Sequence, residues 1–274
     1  MSEQQLEVKE FDHPPLPKNW LRTVVIIWLG QAASILTAYS SIYAGVWFVT
    51  ETTDSALMLA LASLCSMLPQ GLLAPLGGVV ADRFNRKYVL AADAFVGTMA
   101  LIMGMIIAMG HVSVPLVLIM GALRSVGQAF HMPAMESTMP LLVPKKHVVR
   151  MNTMNQSLWS MALVVGPVLG IFLYTVVGFQ MVLFLNAAGC AVACLALTLA
   201  KIPDFHDDSD EARHPIASLK AGFATLSADR GLLILCGIVM AIMAMYTGIN
   251  SLFPLMTYDH FHGDGYAASL IEGI

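Results

Sequence analysis

The stretch Gly77–Leu90 reads GGVVADRFNRKYVL and lies between two long apolar runs. Asp82, Arg83, Arg86 and Lys87 fall within six residues of one another. A short charged turn between greasy segments is the mark of a chain leaving a bilayer and returning to it. The composition agrees: 57% of residues are hydrophobic and 12% are charged, against about 25% charged in soluble domains. Mean hydropathy is +0.73. These values predict an all-α membrane protein.

A spanning helix needs about 20 apolar residues. Seven runs meet that length: 23–50, 56–80, 88–110, 112–139, 154–177, 179–200 and 231–258. An eighth begins at Gly265. Prolines within the runs (Pro69, Pro75, Pro133, Pro167 and Pro254) predict bends. Basic residues alternate with the spans. Lys9, Lys18 and Arg22 precede the first. Arg83, Arg86 and Lys87 follow the second, Lys145, Lys146 and Arg150 the fourth, and Lys201, Arg213, Lys220 and Arg230 the sixth. The intervening turns carry none, which by the positive-inside rule predicts a cytoplasmic N-terminus. The fourteenth basic residue, Arg124, lies inside the fourth span.

The expected organisation is a cytoplasmic tail over 1–22, a six-span bundle over 23–200, a cytoplasmic linker over 201–230 and an incomplete second bundle over 231–274. The linker holds Asp204, Asp207, Asp208, Asp210 and Glu211 near His206 and His214. Their spacing is irregular, so a solvated linker is expected rather than a metal site. Cys65, Cys190, Cys194 and Cys236 all lie in apolar runs and are expected to be small packing residues.

The opening stretch resembles the signature loop of the major facilitator superfamily, G-x-x-x-D-R-x-G-R-[RK]. Gly78, Asp82, Arg83, Arg86 and Lys87 match it, and Asn85 stands where the family has glycine. Asparagine tolerates the left-handed conformation better than most residues. Arg124 and Gly127 resemble a variant of the family's arginine motif, and Gly166, Pro167 and Gly170 in GPVLG resemble the core of its antiporter motif. The run QAFHMPAMESTMPLLVP is similar to the macrolide- and siderophore-exporter branch. The resemblance implies two six-span bundles with a midplane substrate site between them, and a charged loop that latches the halves. It implies that the chain is the first bundle plus the start of the second.

Several residues are candidates for chemistry. A guanidinium at bilayer depth is costly, so Arg124 is expected to face the interior and bias proton or substrate binding. Gln128 lies one turn on. Gln31 and Tyr39 on the first span, Asn155 and Gln156 opening the fifth, and Asn250 in the seventh are expected to line the cavity. The stripe Ser34, Ala38, Ser41 and Gly45 suits a tight helix contact, as do Gly77 and Gly78. Glu136, about 18 Å along the helix from Arg124, suits the cytoplasmic gate or a proton site. Asp93 is expected to pair with Arg83, Arg86 or Lys87 at that gate, with a titrating role as the alternative. His131 is expected to be a hydrogen-bonded buried histidine, with a proton carrier as the alternative.

No phosphate-binding glycine loop or catalytic constellation is present in the sequence, so neither ATP nor an enzymatic function is expected. No cofactor, metal or nucleic acid is implied. The expected partners are the lipid bilayer, a small organic substrate and protons. The expected function is secondary export by alternating access. Its rival is a non-transporting remnant or assembly partner of the same fold.

Overall fold

The computed structural model describes residues 19–53, 55–81, 85–200, 224 and 227–261. The tail, Asp82 and Arg83 of the turn, the acidic linker segment and the eighth apolar run lie outside the described residues. The helices are α1 (Trp20–Thr53), α2 (Ala56–Ala81), α3 (Asn85–Ala108), α4 (Val114–Leu141), α5 (Val148–Val177), α6 (Phe179–Leu199) and α7 (Arg230–Leu255). A short 3-10 turn, Lys145–His147, precedes α5, and a π-helical turn, Met256–His260, follows α7. The first six are long and apolar enough to cross a membrane. Helix α5 starts six residues before the apolar run predicted for it, directly after the Lys145–His147 turn.

Helix α1 packs on both α5 and α6, α6 on α3, α3 on α4, and α4 on α2. Their outer faces carry exposed large side chains, such as Leu57, Leu64 and Leu72 on α2 and Val192, Leu195 and Leu199 on α6. Such a surface suits lipid rather than water. Helix α7 touches α2 and α1, and Tyr258 beyond it meets Trp47 edge-on at 6.0 Å.

Close approaches are made by glycines. A Cβ at Gly170 would strike the Ser40 carbonyl, and one at Gly189 would strike the Thr37 hydroxyl. At Gly77 it would strike the Ala129 carbonyl. Gly78 differs from the expectation: nothing lies within 4 Å of its Cβ position. One residue is 100° of helix, so the neighbour of an interface glycine turns away from the interface. Gly178 alone joins α5 to α6, with φ 83° and ψ 159°, a conformation open essentially to glycine.

Pro69 interrupts the α2 ladder, and the adjacent Gln70 N–H donates to Ser125 Oγ of α4 at 2.9 Å. In lipid a freed backbone donor must find such a partner.

The interior is layered. At the end bearing the α2–α3 turn, here the basic end, Val24, Ile27, Val89, Met135, Met139 and Leu197 form one apolar core. At the other end Ala44, Val49, Met103, Val117, Phe179 and Val182 form a second. Between them four of the first six helices insert buried polar side chains: Gln31 and Ser34 from α1, Asp93 from α3, Arg124 and His131 from α4, and Asn186 from α6.

Candidate functional site: a buried polar layer beside a polar cleft

Asp93 is 3% exposed and is held from two neighbouring helices. Gln31 Nε2 donates to its Oδ2 at 2.9 Å, and Ser34 Oγ donates to its Oδ1 at 3.0 Å. His131 Nε2 lies 3.3 Å from the same Oδ1. It also lies 2.9 Å from Gln31 Oε1. Since that amide oxygen only accepts, His131 carries its proton on Nε2. His131 Nδ1 is buried without a partner.

The expected pairing of Asp93 with Arg83, Arg86 or Lys87 falls on side chains outside the described residues. The donors described for its carboxylate come from across the bundle. The chemical consequence is specific. Three donors converge on one carboxylate. A proton on Asp93 would turn one carboxylate oxygen from acceptor to donor and set it against the donor that now holds it, Gln31 Nε2 or Ser34 Oγ.

Gln31 connects this cluster to a cleft. Gln31, Ile35, Met135, Glu136, Asn152, Asn155, Gln156, Leu158 and Trp159 surround about 280 Å³ between α1, α4 and α5. The structure therefore brings together Gln31, Asn155, Gln156 and Glu136. Tyr39 meets Trp159 edge-on at 6.0 Å. Gly166 and Gly170 seat α5 against Tyr39 and Ser40 of α1, and Pro167 between them is buried. Tyr39 and Trp159 thus stay close.

Arg124 lies elsewhere. It is 8% exposed and lines an inner cavity of about 50 Å³ among α1, α2, α3, α4 and α6, with Ser41, Ser66, Met103 and Asn186. Gln128 is half-buried and is not among the residues lining either space. Arg86 and Lys87 lie in the first turn of α3, and Asn250 lies in α7.

Sequence reasoning read Ser34 and Cys190 as packing residues and did not single out Asn186. Cys190 Sγ lies 3.6 Å from Ser34 Oγ and 3.7 Å from Asn186 Oδ1. Ser34, Cys190 and Asn186 therefore form a string from Asp93 toward the inner cavity. The available signal was Asn186 itself, a fully polar side chain amid the apolar run FQMVLFLNAAGC.

A family profile described as Major Facilitator Superfamily matches residues 27–273. The chain is 32% identical to Macrolide efflux protein A of Streptococcus pyogenes over 257 residues, covering 93% of this chain and 63% of that protein. It is 30% identical to Macrolide efflux protein A of Enterococcus faecalis over 80% of this chain and 68% of that one. It is 24% identical to Multidrug resistance protein MdtG of Serratia proteamaculans over 95% of this chain and 63% of that one. The chain thus spans a little under two thirds of the length of the Streptococcus pyogenes protein. Six membrane-length helices, the glycine-seated helix contacts and a profile match over most of the sequence converge: the chain belongs to the major facilitator superfamily.

Proposed function

We propose that this chain forms the first bundle of a proton-coupled exporter of amphipathic small molecules, drug- or siderophore-like, working by alternating access. The observation that carries the reading is Gln31. Its side chain lines the polar cleft and bonds both ionisable members of the buried cluster, Asp93 and His131. A proton arriving at Asp93 loosens the α1–α3–α4 tie and frees Gln31 to change its partner. A substrate held between Trp159 and the amides of Asn155 and Gln156 is then sensed by the same residue. The relatives named for macrolide efflux and multidrug resistance support export, and the apolar-aromatic character of Trp159 and Ile35 suits a large amphipathic substrate.

The basic end, with Lys145, Lys146 and Arg150, would face the cytoplasm of a bacterial inner membrane. The Asp82 loop would act as the latch between halves, with Glu136 at the cleft mouth. Asn250 would reach the cavity from the second half.

The test is efflux from everted vesicles carrying the protein, with a panel of macrolides and dyes and an imposed proton gradient. Saturable flux that collapses with the gradient is expected. Flux indifferent to the gradient would refute the coupling, and no flux of any panel member would refute the substrate class. Trp159→Ala is expected to raise the half-saturating substrate concentration about tenfold, the loss of about 1.4 kcal/mol of contact. The maximal rate should fall much less. An unchanged half-saturating concentration would remove Trp159 from the binding surface.

A further inference from the structure

We propose that the inner cavity is a binding site for a small monovalent inorganic anion of chloride size, held by Arg124 and Asn186. Two observations converge. Arg124 Nη1 is buried and has no hydrogen-bond partner, and Asn186 Nδ2, on a side chain that is 0% exposed, has none either. Both residues line the same cavity. The amide orientation is set by Cys190, whose thiol donates to Asn186 Oδ1 and leaves the nitrogen for the cavity.

The charge balance points to an anion rather than water. A buried guanidinium without a counter-charge is far costlier than an unpaired neutral donor. Among the described residues no carboxylate lies within ion-pair distance of Arg124. The buried carboxylate of α3, Asp93, sits beside His131, which is itself seven residues or about 10 Å along α4 from Arg124. Its two oxygens are already taken by Gln31, Ser34 and His131. A water could accept from both donors but would leave the charge unmatched.

Size narrows the ligand. Pockets for organic ligands measure about 300–1,000 Å³, whereas this cavity holds about 50 Å³. That admits one halide and the waters beside it. Met103, Leu183, Phe179 and Val117 line the rest, and an apolar wall suits a large, weakly hydrated ion over sulfate or phosphate. Ser41 and Ser66 supply further hydroxyl donors. Cys190, which donates to Asn186 and touches Ser34 at 3.6 Å, packs the anion site against the carboxylate cluster.

The site does not depend on the transport reading, because it can be measured without substrate or gradient. The purified chain in detergent is compared in chloride, bromide, nitrate, sulfate and gluconate at constant ionic strength. Thermal unfolding and bromide retention in equilibrium dialysis are the readouts. Chloride, bromide and nitrate are expected to raise Tm by about 3 °C or more over gluconate, with one bromide retained per chain and no effect of sulfate. Asn186→Leu and Arg124→Gln should lose both the anion-dependent shift and the retained bromide. Asn186→Leu carries the test if the arginine variant fails to fold. Equal Tm in chloride and gluconate with no retained bromide would overturn the proposal. So would a variant that keeps the wild-type anion dependence.

Discussion

Asp93→Asn is expected to reduce gradient-driven efflux at least about tenfold while leaving the chain folded. The substitution is isosteric and removes only the titrating group. The new amide oxygen can still accept from Ser34 Oγ. Its nitrogen would meet Gln31 Nε2, donor against donor, but Gln31 can turn its amide by 180° and His131 can move its proton to Nδ1. The contacts of the new side chain with Gln31, Ser34 and His131 Nε2 then re-form without a charge, and the one cost is a buried Nδ1–H of His131. Asp93→Leu makes the contrasting case. It leaves Gln31 Nε2 and Ser34 Oγ without their acceptor, at about 1–3 kcal/mol for each buried group left unpaired. That variant should lose stability as well as transport. The pair of variants separates the two roles of Asp93: efflux lost with Tm retained in the first, both lost in the second. Wild-type gradient-driven efflux by Asp93→Asn would remove Asp93 from proton coupling.

The contrast between Asp93 and Arg124 shows what a membrane sequence reveals and what it hides. The six spans and their order were legible, because bilayer thickness sets helix length and loop charge is concentrated at alternate turns. Both polar residues could be recognised as costly at depth. Direction could not be read. In a soluble helix the polar face marks the outside, whereas here both faces are apolar, one toward lipid and one toward the core. A lone Asp93 in ADAFVG therefore carries no sign of whether it turns to Arg86 on its own helix or to Gln31, 62 residues away on another. Ser34 failed for a related reason. A small residue at an interface position satisfies a packing explanation completely, and its hydrogen bond to Asp93 exists only once α1 and α3 are adjacent. Arg124 was correctly read as interior, yet the space it lines is not the cleft that gathers Gln31, Asn155 and Gln156. A single helix presents two buried faces in a bundle, and sequence spacing does not say which cavity each one meets.

A glycine seated against the backbone of α1 yields the largest expected effect on stability. Gly170→Leu is expected to lower the unfolding midpoint by about 10 °C, an overpacking cost of about 2–4 kcal/mol. At Gly170 even a Cβ would lie 3.0 Å from the Ser40 Cα and carbonyl carbon, and closer still to the carbonyl oxygen. Those atoms belong to the middle of α1, where the backbone is fixed by its own hydrogen-bond ladder on both sides. No flexible side-chain tip is available to swing away, so the helices themselves must separate. Gly166, one turn earlier, sits against Tyr39 with its Cβ position 2.6 Å from the Tyr39 Cβ. The separation would therefore spread along α5, stiffened by Pro167, and would pull Trp159 from Tyr39 and widen the cleft. Gly71→Ala is the matched control, since no atom lies within 4 Å of its Cβ position on the outer side of α2. There the methyl group meets nothing and helix propensity favours alanine by about 1 kcal/mol. Thermal unfolding of both variants in the same detergent decides the matter. A Gly170→Leu midpoint equal to that of Gly71→Ala would mean that α1 and α5 are not held at the separation described.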